Sequence, residues 1–439
     1  MKNPVIVKYP YLTQDVEIYE RENGHKIVLA HKEGELANVS TWVKTGSINE
    51  DDTNNGISHF LEHLMFKGTH KHPAGEFDKI LEAKGAIVNA ATWKDYTFYY
   101  VTLPKAHLFE CIELHANMML DPVLPEEEIG AQFDLNDAAV SDKRERHVVI
   151  EEIRMRKDQP WTKVYNACNL NMYNKHPYKR DVIGTPEIIS KVTRRQIVDY
   201  YETFYSPQNM TTIIAGDFDK EAVLKKVEAE FDFHGRTGKP AVSFETDEPP
   251  AQTIYVENTA NVNTSYLMTG WLGPKACDLK AEICLDLINI IFGRSTSSRL
   301  YQNLIEKQAE PVFNMISSEN YPFRDGGNFF IQANFKPEKK EIALNLIKKE
   351  ISDLPDVKIS AEELEKAKKK ALSGFACSAE TVSEIGETIG HYMTVCENLK
   401  LIENYTEEVN EITVNDLEET IRKYLNISNA VFSILNPEG

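Results

Sequence analysis

The feature of this 439-residue chain that most constrains its fold is an internal repeat whose two copies lie 220 residues apart. Residues 193–219 and residues 413–439 align without a gap. In each copy, a threonine suited to cap a helix precedes an amphipathic helix, a short loop that ends in asparagine, and an apolar strand. Because the offset is half the chain length, the repeat predicts two similar domains of about 220 residues each.

The segment 234–250 is rich in glycine, proline and charged residues, as linkers are. We therefore expect an N-terminal domain at 1–233, a linker or hinge at 234–250 and a homologous C-terminal domain at 251–439. Strands are expected near the start of each half, at 36–47 in the first and at 252–258 and 264–272 in the second, before long helices. The helices are expected at 105–121, 186–204, 339–353 and 360–372. Irregular mixing of the two favours an α+β fold, with an antiparallel sheet packed with helices in each domain.

Composition excludes several classes of function. Hydrophobic residues make up 42 % of the chain, and 49 basic against 68 acidic residues give a net charge of −19. That balance argues against nucleic-acid binding and is compatible with cationic peptides as partners. No apolar run is long enough to span a membrane, no secretory signal is evident, and the six cysteines form no C-x-x-C pair. Cytoplasm is the expected compartment, although a mature organelle matrix protein would look the same.

The residues with the clearest chemical meaning lie in NNGISHFLEHLMFKGT, residues 54–69. On a helix, His59 and His63 share one face and can both offer a ring nitrogen to one Zn²⁺. Glu62 is placed to reach a water beside that ion, and the H-x-x-E-H order is the inverted form of the H-E-x-x-H zinc helix. The apolar residues between and after them are expected to face the core. An ordinary partly buried histidine pair is the alternative.

A catalytic zinc site takes three protein ligands, so a third should come from another element. The candidate stretch is 143–160, KRERHVVIEEIRMRKDQP. Glu145 and Glu152 are seven residues apart, about two helical turns, and can face the same site. Taken alone, without the upstream motif, this charged helix is better interpreted as a solvated surface.

The first half resembles the M16 (pitrilysin or inverzincin) metallopeptidases, in particular the branch that contains the catalytic subunit of mitochondrial processing peptidase. The resemblance covers the first half in family order, through segments 43–50, 55–69, 89–104, 144–160, 176–187 and 204–218.

The resemblance implies roles for individual residues. His59 and His63 match the zinc ligands, Glu62 matches the general base, and Glu152 matches the third ligand. Glu145 would support the site, and Glu151 is the alternative ligand if the register is off by one. Relative to the family, an insertion is expected near 130–142.

The resemblance also implies a strand for substrate binding. The segment NAATWKD resembles the edge strand to which an extended peptide adds by main-chain pairing. Asn89, Ala90, Ala91 and Thr92 are the expected contacts. An edge strand without such a role is the alternative.

In the second half, the family places an Arg and, seven residues later, a Tyr that stabilise the substrate oxyanion. Here the Arg position is Ile305, and the Tyr position is Phe313, or Val312 at strict spacing. None of these side chains donates a hydrogen bond. Arg294 and Tyr301 have the right spacing but come too early.

The resemblance therefore implies a zinc endopeptidase that closes like a clam with a second two-domain chain. A homologous partner subunit that supplies the Arg and Tyr is expected, with a homodimer as an alternative. A non-catalytic core or assembly subunit is the other alternative, although such members typically lose a ligand or the base.

Overall fold

A computed structural model describes residues 3–137, 142–238, 240, 242–356 and 358–438. Two segments discussed above lie partly outside the described residues. These are positions 138–141 of the expected insertion and positions 239 and 241 of the expected linker.

Twelve strands among the described residues form two sheets. They are β1 (Val5–Val7), β2 (Val16–Glu20), β3 (Lys26–His31), β4 (Leu36–Val43), β5 (Ile87–Thr92), β6 (Thr97–Pro104), β7 (Met210–Gly216), β8 (Ile254–Ala260), β9 (Ser265–Gly273), β10 (Phe313–Tyr321), β11 (Gly327–Phe335) and β12 (Val431–Pro437). The first sheet has the order β1-β2-β3-β7-β4-β6-β5, and the second has the order β10-β11-β9-β12-β8.

Helices connect and cover the strands. They are α1 (Ile57–Met65), α2 (Glu76–Glu82), α3 (Leu108–Leu120), α4 (Glu126–Ile129), α5 (Glu145–Asp158), α6 (Pro160–Met172), α7 (Pro186–Ile189), α8 (Arg194–Phe204), α9 (Lys220–Glu230), α10 (Leu279–Phe292), α11 (Arg299–Tyr301), α12 (Lys340–Asp353), α13 (Ala361–Cys377), α14 (Val382–Thr394), α15 (Leu401–Glu411) and α16 (Val414–Tyr424). Among the described residues, no helix has both the length and the apolar character needed to cross a membrane.

The predicted α+β class and internal repeat are both present. Thr193 and Thr413 each form a capping box at the start of α8 and α16. The strands that follow, β7 and β12, each lie inside a sheet between a parallel and an antiparallel neighbour. The order β3-β7-β4-β6-β5 therefore corresponds to β8-β12-β9-β11-β10. The other strand pairs are antiparallel, as expected, and each sheet also contains one parallel pair, β3 with β7 and β8 with β12, whose strands are joined by a long connection.

The chain forms two compact units, and each draws on both halves of the sequence. The first contains residues 1–154, 181–243 and 376–403, and the second contains the rest. This division differs from the expected boundaries at 1–233 and 251–439. In the first unit, α14 packs on β4 and β7, and in the second, α6 packs on β9 and β12. These two helices lie about 220 residues apart in the sequence. Each belongs to the unit that is built mainly from the other half of the chain, so this arrangement also follows the repeat.

Small residues on α14 explain its close packing on the first sheet. A Cβ atom on Gly390 would overlap the indole of Trp42, a fully buried residue of β4. Asn38, also in β4, similarly approaches Gly386. Because these glycines lie four residues apart, they create one flat stripe on the helix. The sheet that carries the site is thereby covered on this face.

Candidate metal centre

A buried carboxylate fixes the start of the helix that carries the H-x-x-E-H motif. Glu50 accepts hydrogen bonds from the backbone N–H groups of Gly56 and Ser58, at 2.7 and 2.8 Å, and from the Ser58 hydroxyl at 2.6 Å. Asn55 donates to the same carboxyl group at 2.7 Å. Burial raises the pKa of Glu50, although these donors act against that shift. The carboxylate satisfies N–H groups that a helix leaves unpaired at its N-terminus.

Gly56, immediately before α1, has a φ of +95°. A Cβ atom there would lie 2.5 Å from the carbonyl oxygen of Ile183. Both the left-handed backbone and the close approach require glycine. The direction in which α1 leaves this turn is therefore set by packing against residues 183–184.

Replacing Glu50 with Ala is expected to lower the free energy of unfolding by about 2–4 kcal/mol, because several buried donors lose their acceptor. Urea unfolding followed by circular dichroism measures this. Glu22→Ala, at an exposed turn position, is the control and should change stability little. Equal stability of wild type and Glu50→Ala would contradict the anchoring role.

The α1 helix turns its apolar residues inward and its polar motif residues toward one site. Phe60, Leu61 and Leu64 are fully buried in the core of the first unit, as the sequence predicts. His59 and His63 share the opposite face, with ring centroids 4.7 Å apart. Packing of the apolar face therefore fixes where the two imidazoles point.

The third predicted ligand comes from α5 and meets the two histidines. Glu152 Oε2 lies 3.7 Å from His59 Nε2 and 3.4 Å from His63 Nε2. One ligand atom from each of the three residues lies within 4.8 Å of the others. The side chain of His59 is 11 % exposed and that of Glu152 is 35 % exposed, so the cluster is reachable from solvent on one side.

Glu151, the alternative in register, lies outside this cluster. Its side chain is 63 % exposed and forms an ion pair with Arg154 at 2.6 Å. One helical position is a rotation of about 100°, which is enough to separate the two carboxylates. The geometry therefore favours Glu152.

Glu145, the first residue of α5, contacts the other ring nitrogen of His63, the one that does not face Glu152. Its Oε1 lies 2.8 Å from His63 Nδ1, and its Oε2 lies 2.5 Å from the ammonium group of Lys67. Burial raises the pKa of Glu145, but hydrogen bonds with His63 and Lys67 outweigh burial and hold it below its ordinary value. Burial lowers the pKa of His63, but hydrogen bonds to Glu145 and Glu152 outweigh it and raise that pKa to about 9. The site thus concentrates negative charge around the two rings.

The predicted substrate strand is β5, which is the edge strand of the first sheet and pairs with β6. Asn89 is exposed there, while Ala90, Ala91 and Thr92 are half-buried. Thr92 Oγ1 donates a hydrogen bond to Glu62 Oε2 at 2.5 Å. The edge strand is therefore joined directly to the carboxylate predicted as the base.

The second unit has apolar side chains where the family pattern has Arg and Tyr. Phe313 is buried in the core at the start of β10, and Ile305 and Val312 pack against that core. Arg294 follows α10, and Tyr301 ends α11. Residues 251–439 contain one histidine, His391, so that half has no second H-x-x-E-H motif.

The sequence patterns assign no role to Glu50 or Lys67, and they give Thr92 only a role in the substrate strand. The acidic residue six positions before a helix-starting glycine is a local signal that could have identified Glu50. No local signal pairs Lys67 with Glu145, because the two residues are 78 positions apart and meet only through the fold.

Comparison with known proteins identifies the family. Residues 26–185 match the family model described as insulinase (peptidase family M16), and residues 191–371 match the model described as the peptidase M16 inactive domain. Together the two matches cover most of the chain, and the first contains His59, His63 and Glu152. The chain belongs to peptidase family M16.

Similar M16 proteins match over nearly the whole length. The uncharacterized zinc protease YmxG of Bacillus subtilis is 28 % identical over 429 residues, which cover 97 % of this chain and 99 % of the relative. The zinc protease PqqE of Helicobacter pylori is 28 % identical over 427 residues, covering 95 % and 91 %. The crystal structure of a protease from Helicobacter pylori has a TM-score of 0.86 at 25 % identity, covering 99 % of this chain and 100 % of that chain. The M16 two-domain fold and a metallopeptidase relationship at family level follow from these matches.

Proposed function

We propose that this chain is a zinc-dependent endopeptidase that hydrolyses peptides or unfolded segments. The observation that supports this most strongly is the convergence of His59, His63 and Glu152 from two helices. The predicted base, Glu62, lies between the two histidines in sequence and contacts the edge strand.

The donor set fits zinc in chemistry and spacing. Two imidazole nitrogens and one carboxylate oxygen are ligands of catalytic zinc sites, which keep a further position open. Bonds of about 2.0–2.1 Å in a tetrahedral arrangement separate neighbouring donor atoms by about 3.4 Å. The separations of 3.4 and 3.7 Å from Glu152 Oε2 to the two ring nitrogens agree with that spacing.

Each side chain would have a distinct task. Bound zinc supplies Lewis acidity, which polarises a peptide carbonyl and lets water lose a proton near neutral pH. Glu62 would accept that proton on its carboxylate and pass it to the departing amine. Glu145 would hold the Nδ1–H of His63, which leaves Nε2 to face the ligand cluster.

The edge strand would bind the substrate main chain. An extended peptide added along β5 would exchange hydrogen bonds with Asn89, Ala90 and Ala91, and Thr92 would bring the strand's end to Glu62. Main-chain pairing tolerates many side chains, so this arrangement fits varied peptides better than one folded substrate.

The apolar residues at Ile305, Val312 and Phe313 support a further proposal. A second, homologous M16 chain would supply an Arg and a Tyr that donate hydrogen bonds to the developing oxyanion. We therefore propose that this chain is the catalytic subunit of a heterodimer. The alternative is a homodimer that is active without a second kind of chain.

The test combines metal analysis with peptide cleavage. The purified chain is expected to bind about one zinc, and adding the homologous partner should start cleavage of a fluorogenic peptide that o-phenanthroline stops. Strong cleavage by this chain alone would contradict the heterodimer proposal but would still support the peptidase proposal. Failure to bind zinc would contradict the peptidase and favour a non-catalytic assembly subunit.

Thr92→Val is expected to lower kcat about 10-fold with little change in KM, because Glu62 loses a hydrogen bond donated to a charged group. Thr92→Ser keeps the hydroxyl and should stay within about 3-fold of wild type. Steady-state cleavage of one peptide by the three proteins, with the partner present, measures this. Equal kcat for the Val and Ser variants would show that the hydroxyl does not orient Glu62.

A further inference from the structure

We propose that Lys67 is a positioning residue of the metal centre: its ammonium group holds the Glu145 carboxylate, which holds the ring of His63. This inference rests on the proposed zinc site and adds a residue to which neither the motif nor the family match assigns a role.

The contacts form a continuous chain from Lys67 to a predicted ligand. Lys67 Nζ lies 2.5 Å from Glu145 Oε2, and Glu145 Oε1 lies 2.8 Å from His63 Nδ1. Each carboxylate oxygen therefore has its own cationic or N–H partner. The side chain of Glu145 is only 9 % exposed, so water is poorly placed to replace Lys67. Losing one partner of a buried, hydrogen-bonded carboxylate is costly and frees it to move.

The backbone also favours a positioning role. Lys67 lies just past the end of α1, where its N–H donates to the carbonyl of Leu64 at 3.0 Å. Glu145 begins α5, and its own N–H donates to Glu128 Oε2 at 2.9 Å. The ion pair therefore joins the end of the helix that carries His63 to the start of the helix that carries Glu152.

The balance of charges around the site also favours a cation at position 67. Glu62, Glu145 and Glu152 together carry three negative charges, and a bound Zn²⁺ offsets two of them. Lys67 places a positive charge directly against Glu145. Without this cation, Glu145 would be a surplus buried anion beside the ligands.

The acidic groups that face Lys67 are Glu145 and, at longer range, Asp78 of α2. Asp78→Asn therefore alters the surroundings of Lys67 but leaves the contacts of Lys67 with Glu145 and of Glu145 with His63 in place. Lys84 is comparably exposed, at 21 % against 28 % for Lys67, and it forms an ion pair with Glu110 at 2.9 Å. Lys84→Met and Asp78→Asn serve as controls.

The experiment measures the zinc dissociation constant of the full chain by competition with a chromogenic chelator. Lys67→Met is expected to weaken zinc binding about 10-fold, as loss of groups that orient a ligand does, whereas Lys67→Arg should stay within about 3-fold. Both controls should match wild type. The double variant Lys67→Met/Glu145→Gln should bind zinc no more weakly than Glu145→Gln alone, because both changes disrupt the same series of contacts from Lys67 through Glu145 to His63.

Three results would overturn the proposal: wild-type affinity in Lys67→Met, additive losses in the double variant, or equal losses in Lys84→Met. If Lys67→Met fails to fold by circular dichroism, Lys67→Gln is judged by the same criteria. A wild-type chain that binds no zinc would overturn the proposed function itself, and the Lys67 assignment with it. Wild-type binding with an unaffected Lys67 variant would overturn the Lys67 assignment alone.

Discussion

Glu62→Gln is expected to reduce kcat for peptide cleavage by about 10²–10⁴-fold, the contribution usual for a positioned general base. Glutamine has the same shape, but it cannot accept the proton from water. Its carbonyl oxygen can still accept the hydrogen bond that Thr92 donates to Oε2 of the native side chain. The variant should therefore keep the fold, the zinc and the edge strand, and lose the proton transfer.

The measurement is steady-state cleavage of a fluorogenic peptide, with zinc content determined on the same sample. We expect unchanged zinc and KM with a much lower kcat. Glu110→Gln, on an exposed face of α3, is the matched control and should retain activity. Near-normal kcat in Glu62→Gln would mean that another group accepts the proton.

Glu152→Gln is expected to release zinc and abolish cleavage, whereas Glu151→Gln should do neither. The two residues are neighbours on α5, yet only Glu152 lies within reach of both histidines. A neutral amide oxygen is a much weaker zinc ligand than a carboxylate. The loss in zinc affinity should exceed the roughly 10–100-fold that follows loss of a group supporting a ligand.

The neighbouring pair makes this test sharp, because the two variants make the same chemical change one residue apart. Zinc affinity and cleavage rate are measured for both proteins and for wild type. If Glu151→Gln lost zinc and Glu152→Gln kept it, the ligand register would be off by one. If both kept zinc, the third ligand would come from elsewhere in the chain.

The sequence predicts the local part of the site well, because helix periodicity is a local property. The spacing in residues 59–63 is enough to place two imidazoles on one face and Phe60, Leu61 and Leu64 on the other, as the structure has them. The two copies of the repeat likewise produce helix–strand units with the same caps and the same place in each sheet.

Features that depend on long-range packing could not be predicted from local sequence patterns. The amphipathic pattern of α14 shows that one face is buried, but not that it covers the first sheet, where Gly386 and Gly390 allow close approach. The helix expected at 186–204 is divided into α7 and α8, because the Thr193 capping box starts a new helix. The parallel pairing of β3 with β7 joins residues more than 180 positions apart.

The candidate site shows the same limit. The family resemblance, and not the pattern of residues 143–160, singles out Glu152 as the third ligand, because a charged helix taken alone indicates a solvated surface. The contact of Thr92 with Glu62 and that of Lys67 with Glu145 depend on the fold bringing separate elements together. Such contacts leave no periodic trace in the sequence.

The most direct test of the metal centre is an anomalous difference map, measured at the zinc absorption edge on crystals of the zinc-loaded chain. We expect a peak about 2.0–2.2 Å from a ring nitrogen of His59, a ring nitrogen of His63 and a carboxylate oxygen of Glu152. A map without a peak among these three residues, or with the zinc bound elsewhere, would contradict the proposed site.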